Sequence, residues 1–290
     1  MKPADFAYHR PGTSAEAADL LYRLREDVKV IAGGQSLLPL MNMRLAEPAH
    51  LVDVSAVPEL RRTDLTADGA TYGAATTHMM FEHQLVPDVA DGLLSHAARG
   101  IGYRAIRNRG TVGGSLAHSD SSAEWPTVMS ALGATVHVLS VRGERHIPVT
   151  EFLRGFFSTA LEDDELITAV SVPRIAPGTQ WGMYKMARKP GEFAESLAVV
   201  QVRDTGASTP AVSVWLGAAK DVPLRLEHVE EALSDRPDGG LLPADLSGPL
   251  AADIGADTAT ASPHDRHALQ LHAVTVHRAL TAVGKAPHAA

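Results

Sequence analysis

The chain has 290 residues, of which 45% are hydrophobic and 21% charged, and a formal net charge of −8. That balance suits a globular chain of one or two domains and argues against a general nucleic-acid binder, which needs a basic surface. With no cysteine in the sequence, neither a disulfide framework nor a thiolate-held iron–sulfur cluster can form within the chain.

The N-terminus, MKPADFAYHR, lacks the apolar segment of a signal peptide. No apolar run reaches the ~18 residues that span a bilayer. A cytoplasmic protein without a membrane span is expected. A small β-α-β-like unit opens the chain, to about Pro58. In it, residues 14–25 carry Ala17, Leu20, Leu21 and Leu24 at helical spacing, with Ser14 as N-cap. Residues 29–32 (KVIA) form an apolar strand that runs into Gly33-Gly34. A short helix at 36–44, interrupted early by Pro39, and a strand at 51–54 (LVDV) follow.

From about 59 to 173, a strand and turn at 63–76 pivot on Asp68-Gly69, and residues 77–85 and 88–98 read as helices. Residues 107–122 (RNRGTVGGSLAHSDSS) show neither helical nor strand period. They read as a long glycine-rich loop, a feature uncommon without function. A helix at 125–132, a strand at 134–139, a turn at 142–145, a return strand from 146 and a strand at 165–172 complete this part. Beyond the breaker cluster Ala176-Pro177-Gly178 come strands at 180–187, 196–203 and 211–216 and a helix at 226–233. A loop-like, Pro-, Gly-, Ala- and Asp-rich stretch covers 235–263, and a terminal helix covers 267–283. Strands followed by helices indicate α+β organisation.

Two segments carry candidate chemistry. Ile31-Ala32-Gly33-Gly34-Gln35-Ser36-Leu37 places two glycines after a strand, where positive φ and close backbone approach are allowed. Successive N–H groups in such a turn form an anion nest, although a Gly-Gly pair alone also serves as an ordinary turn. Thr111-Val112-Gly113-Gly114-Ser115 repeats the arrangement, again flanked by hydroxyls. Two such nests suit a diphosphate better than one. Neither matches the dinucleotide G-x-G-x-x-G or the P-loop pattern, so a nucleotide site here is of another type. Arg104, Arg107 and Arg109 precede the second motif; they read as a solvated loop, as phosphate neutralisers or as a dock for an acidic partner. Asp120 follows it, suited either to sugar-chain hydroxyls or to a loop cap. The 14 histidines, with His78 and His83 five apart and no HExxH, form no metal signature.

IAGGQSLLPLMNMRL, followed by RNRGTVGGSLAHSDSSAEWP, resembles the FAD-binding (medium) subunits of molybdenum hydroxylases of the carbon monoxide dehydrogenase and xanthine dehydrogenase type. LVDVSAVPEL, FLRGFFSTALEDDELITAV and YKMARKPGEFAESLAVV extend the resemblance over nearly the whole chain. It implies an α+β protein: an FAD-binding part at 1–175, with α/β subdomains at about 1–58 and 59–175, and a C-terminal α+β domain at 176–290. It also implies non-covalent FAD. Ala32 to Ser36 and Thr111 to Ser115 would wrap the pyrophosphate, with Ile31 and Leu37 flanking the first loop. Asp120 would bind ribityl or ribose hydroxyls, and Ile101 would pack on the cofactor. Leu161 and Lys185 would lie near the flavin ring. Phe193, where several relatives have tyrosine, would keep an aromatic face without the phenolic hydroxyl. His118-Ser119-Asp120-Ser121-Ser122 replaces the frequent His-Ala-Asp-Pro-Ala and makes that loop more polar.

The implied role is electron transfer. A molybdopterin-binding large subunit would oxidise substrate, a small subunit would hold two [2Fe–2S] clusters, and this chain would pass the electrons to an external acceptor. No catalytic side chain and no metal ligand is expected here. A stand-alone FAD-dependent oxidoreductase acting on a small molecule is the alternative, and a binding module whose glycine turns are only turns is a further one.

Overall fold

A computed structural model describes residues 2–206, 210–234, 241–257 and 262–285. β1 (Ala7–His9), α1 (Ser14–Leu24), β2 (Val28–Ile31), α2 (Leu37–Asn42) and β3 (His50–Asp53) come first. The three strands run parallel in the order β1-β3-β2. Helix α1 buries Ala17 and Leu21 on the cluster that contains Val52 and Val54. Its cap is Thr13 rather than Ser14: the Thr13 hydroxyl accepts from the Glu16 N–H at 3.1 Å. Both hydroxyls are competent caps, and the turn that buries Ala17 and Leu21 settles the choice.

The middle of the chain forms a five-stranded antiparallel sheet and the helices packed on it. Its elements are β4 (Thr63–Leu65), β5 (Gly69–Gly73), α3 (His78–Glu82), α4 (Leu93–Gly100), α5 (Arg104–Arg107) and α6 (Val112–His118). Then come α7 (Glu124–Ala131), β6 (Thr135–Ser140), β7 (Gly143–Pro148), α8 (Val149–Phe152), β8 (Leu153–Gly155), β9 (Ser158–Thr159) and β10 (Leu166–Pro173). The sheet order is β4-β5-β10-β6-β7. Strand β6 alternates, with Val136 and Val138 fully buried, and these meet Trp125, Phe81 and Leu116 in the largest core cluster.

Two expectations fail here. The helix read from residue 88 starts at Leu93, because the Asp88 carboxylate is spent holding a turn. It accepts from the N–H groups of Ala90 and Ser95, both at 2.9 Å, and Gly92 supplies the positive φ of 87° that reorients the chain. The long loop read at 107–122 contains helix α6 instead. Thr111 caps it by accepting the Gly114 N–H at 3.0 Å, and Val112 and Leu116 anchor it in the core. Glycine at 113 is required by packing: a Cβ there would lie 2.5 Å from the Ala74 Cβ and 2.8 Å from its carbonyl oxygen.

β11 (Thr179–Met186), β12 (Ser196–Arg203), β13 (Ala211–Gly217) and β14 (Leu224–Arg225) form an antiparallel meander. It is followed by α9 (Glu227–Ser234), α10 (Pro243–Ile254) and α11 (Pro263–Ala282). Strand β12 is buried on both faces, which explains its unbroken apolar run. Leu197 and Val199 join the central cluster, whereas Ala198 and Val200 join the cluster under α10 and α11. Helix α10 corrects the loop-like reading of 235–263. Leu246 and Leu250 are fully buried one turn apart, and the Asp245 carboxylate accepts the Leu242 N–H at 2.9 Å. Proline at the first helical position is compatible with that start, so the composition misled. The rest of that reading, at 235–240 and 258–261, lies outside the described residues.

Candidate functional site

The two glycine segments meet. A Cβ on Gly33 would stand 2.2 Å from the Arg109 carbonyl oxygen and 2.8 Å from the Gly110 Cα. The first loop therefore lies in backbone contact with the approach to the second. At Gly34 the backbone adopts φ 72°, the left-handed region that favours glycine. The N–H groups of Gly33, Gly34, Gln35 and Ser36 donate to no group among the described residues, while the Gln35 side chain donates to the Gly33 carbonyl at 2.9 Å. A half-buried turn with successive unpaired amides is the donor set an anion requires. The second segment works differently. Its Gly114 and Ser115 amides are satisfied by the Thr111 hydroxyl and carbonyl. Gly114 is exposed, with Thr111 Oγ1 at 2.9 Å the nearest atom to a Cβ placed on it. What it offers a ligand is open space at a helix start. Ile31 and Leu37 flank the first loop half-buried, and Thr111, Val112 and Gly113 are buried.

Behind this seam stands a residue that the sequence reading missed. His78 donates its own backbone N–H to the Gly110 carbonyl at 2.9 Å, and its ring Nε2 would be 2.6 Å from a Cβ on Gly110. The Trp125 indole N–H, a donor only, points at His78 Nδ1 at 2.9 Å, which places the ring proton on Nε2. Burial pushes the His78 pKa down to about 3, and burial likewise lowers His272, bonded to the Ser196 hydroxyl, to about 4. Both histidines are core residues.

A histidine lowered on folding binds fewer protons native than unfolded between its folded value and the ordinary 6.5. Its contribution is thus complete above 6.5 and lost as pH falls toward about 3 for His78 and about 4 for His272. Urea titrations from neutral pH down to about pH 4.5 should show stability falling by a few kcal/mol, with a shallower slope in His272→Gln. An unchanged slope in both His272→Gln and His78→Gln would refute this assignment.

Helix α6 runs from the seam to a second junction. Seven residues at 1.5 Å each cover roughly 10 Å. At its C-cap, Ser119 takes φ 51°. The Ser119 hydroxyl donates to the carbonyls of Gly155 and Ser158 at 2.9 and 3.1 Å, and its own carbonyl accepts the Phe157 N–H. Ser121 and Ser122 carbonyls accept the N–H groups of Ala218 and Ala194. Asp120 is buried; one oxygen accepts the Ser122 N–H at 2.9 Å, so the loop-cap reading holds for that oxygen. Loop 119–122 thus ties together the β8–β9 hairpin, the segment beside Phe193 and the end of β13. Leu161 follows that hairpin, half-buried, and Phe193 is 59% exposed.

Lys185, on β11, donates to the Glu124 carboxylate at 2.6 Å and to the Gly100 carbonyl at 3.1 Å, next to Ile101. The pair is buried, with side chains 14% and 4% exposed. Burial raises the Glu124 carboxyl above its usual range, against the pull of Lys185. Glu124 also escaped the sequence reading. Its signal was an acidic residue opening an otherwise apolar helix. Of the three arginines, Arg107 is neither solvated nor free. It holds Glu82 through two bonds at 2.6 and 3.0 Å and donates to the carbonyls of Ile101 and Gly102. Arg104 and Arg109 are exposed.

Among the described residues, no cluster of three or more ligating side chains could hold a metal, and no helix is long and apolar enough to cross a membrane. Residues 4–175 match a family model described as the FAD binding domain in molybdopterin dehydrogenase. The nicotine 6-hydroxylase medium subunit of Paenarthrobacter nicotinovorans is 39% identical over 236 residues, 81% of this chain and 82% of that one. The carbon monoxide dehydrogenase medium chain of Hydrogenophaga pseudoflava is 34% identical over 227 residues, covering 78% and 79% respectively. In structure, carbon monoxide dehydrogenase from the same organism superposes with a TM-score of 0.86 at 31% identity, over 97% of this chain and 98% of that one.

Proposed function

The chain belongs to the FAD-binding subunits of the molybdenum hydroxylase family, an oxidoreductase flavoprotein, and from that premise we propose that it relays electrons between partner subunits and an external acceptor. Bound FAD supplies chemistry that takes up and releases electrons one or two at a time. The observation that carries the reading is the seam of unpaired amides joined by one short helix to the hub at loop 119–122.

In this reading the two glycine segments, Ala32 to Ser36 and Thr111 to Ser115, hold the pyrophosphate. The unpaired amides of the first segment and the hydroxyls of Ser36, Thr111 and Ser115 supply hydrogen bonds without a cationic side chain. The free oxygen of Asp120 takes ribityl or ribose hydroxyls. Ile101 and Phe193 supply apolar faces to the ring, and Leu161 offers backbone polar groups. Lys185 keeps its amine in the pair with Glu124, so its part is to hold the carbonyl before Ile101 and the end of β11 in register. The unit at 1–175, subdivided at about residue 58, is read as the FAD-binding domain, and 176–290 as a C-terminal α+β domain.

The partners in this reading are a molybdopterin-binding large subunit and a small subunit with [2Fe–2S] clusters, the complex being cytoplasmic. The relatives are named as medium chains or medium subunits, and the absence of cysteine puts any thiolate-held cluster on another chain. The buried carboxylate of Glu124 is committed to Lys185 rather than free for acid–base work. Under anaerobic conditions, substrate of the large subunit should bleach the flavin absorbance of the assembled complex and leave the isolated chain yellow. Rapid bleaching of the isolated chain would favour the stand-alone oxidoreductase.

A further inference from the structure

We propose that the open cleft between residues 99–107 and 187–191 is the docking site for a small anionic electron acceptor, carrying phosphate or carboxylate groups. The inference rests on the electron-relay reading above and names the acceptor class for it. The cleft has a volume of about 590 Å³ and is lined by Arg99, Arg104, Arg107, Lys185, Arg188 and Lys189, with no acidic residue in its wall. On a chain of net charge −8, six cations facing one concavity are not a sample of the average surface.

Three of the six are committed: Arg107 to Glu82, Lys185 to Glu124 and Arg188 to Glu195. Arg99, Arg104 and Lys189 make no ion pair among the described residues, and all three are exposed. The two walls are fixed to each other. Gly191, at φ 84°, would place a Cβ 2.9 Å from the Gly102 carbonyl oxygen, so the loops touch along their backbones. The Arg107 guanidinium locks the carbonyls of Ile101 and Gly102 from beneath. The free cations therefore project from a rigid frame, which lowers the ordering cost of holding an anion. Tyr103, 58% exposed, adds a flat apolar face to the same wall.

Position makes the cleft an acceptor site rather than a general anion trap. Its floor includes Gly100 and Lys185, on either side of the hydrogen bond that holds the Ile101 turn. That turn carries Ile101, read above as an apolar face against the cofactor. An acceptor seated here would lie against the turn that carries Ile101. Guanidinium groups suit phosphate and carboxylate through paired N–H donors, and a cluster of like charge steers anions inward.

The test uses the assembled complex with saturating substrate. Each two-electron oxidation of substrate reduces two ferricyanide ions to ferrocyanide, with the protons released to solvent; an uncharged benzoquinone takes the same two electrons with two protons. Arg104→Glu and Lys189→Glu should each raise KM for ferricyanide about tenfold and leave KM for benzoquinone within about twofold. Arg104→Gln should show a smaller shift in the same direction. Binding of the redox-inert trianion hexacyanocobaltate, measured by calorimetry on the complex, should lose one site per copy of this chain in the charge-reversed forms. Equal effects on both acceptors, or on neither, would overturn the cleft assignment. So would variants that fail to assemble with the partner subunits, which would mark the cleft as a protein dock. Flavin that substrate cannot reduce in the unmodified complex would instead sink the relay reading itself, and flavin content and reduction rate keep the two failures apart.

Discussion

Gly33→Ala is expected to strip the flavin and to lower the melting temperature of the protein. The added methyl carbon would sit 2.2 Å from the Arg109 carbonyl oxygen and 2.7 Å from its carbon. These are backbone atoms, with no rotamer to escape into, so the two glycine loops must separate. Separation spoils both the nest at Gly33 to Ser36 and the wall behind it, and FAD affinity should fall by at least about a hundredfold. Gly114→Val is the informative companion. Gly114 is exposed and the one atom that crowds a Cβ there is the Thr111 Oγ1 at 2.9 Å, a side-chain atom whose shift loosens one cap bond, so the fold should survive while the valine fills the space read as the pyrophosphate's. The flavin-to-protein absorbance ratio after desalting, read beside circular dichroism, separates the two cases. A folded Gly114→Val protein with full flavin would sink the assignment of the second segment.

Lys185→Met is expected to cost about 3–5 kcal/mol of stability at neutral pH, the usual penalty for leaving one partner of a buried pair charged and alone. Glu124 keeps only 4% of its side chain exposed, and burial already holds its carboxyl above the usual range with Lys185 in place. A carboxyl raised on folding binds more protons in the native state than in the unfolded chain. Stability is therefore greatest below the ordinary carboxylate range and falls as pH rises through the raised value. Without Lys185 that window extends upward, so the variant should lose much more at about pH 8 than at about pH 5. The double variant Lys185→Met/Glu124→Gln should recover most of the loss, since the charge is removed with its partner. Urea unfolding at the two pH values measures all three. A loss independent of pH, unrelieved in the double variant, would mean that Lys185 contributes through packing alone.

These two tests address residues of opposite legibility. Gly33 and Gly114 stood out in the sequence because a Gly-Gly pair after an apolar strand, repeated between hydroxyls, is a local pattern with a local meaning. Ordering along the chain carried the rest of the resemblance, and most elements were legible from the period of their apolar residues. Strand β6 and helix α1 are examples, each with buried positions at the spacing its own geometry dictates. Where composition contradicted period, composition misled. Helix α10 was hidden by Pro243, Gly248 and Pro249, although Leu246 and Leu250 lie on one face. Helix α6 was hidden by Gly113, a glycine placed for its closeness to Ala74 rather than for a turn.

The family, the absence of thiolate chemistry, the two glycine segments and most of the elements are legible from the chain alone, because each is written in short runs of neighbouring residues. The packed fold commits Arg107 to Glu82, 25 residues away, and Lys185 to Glu124, 61 residues away. It also decided which arginines stay free around the cleft. Charge pairing at such separations depends on how β11 lies beside α7 and how α5 meets α3, and no local period encodes that. A charged side chain buried by such packing must find a partner, and which partner it finds is a property of the assembled core.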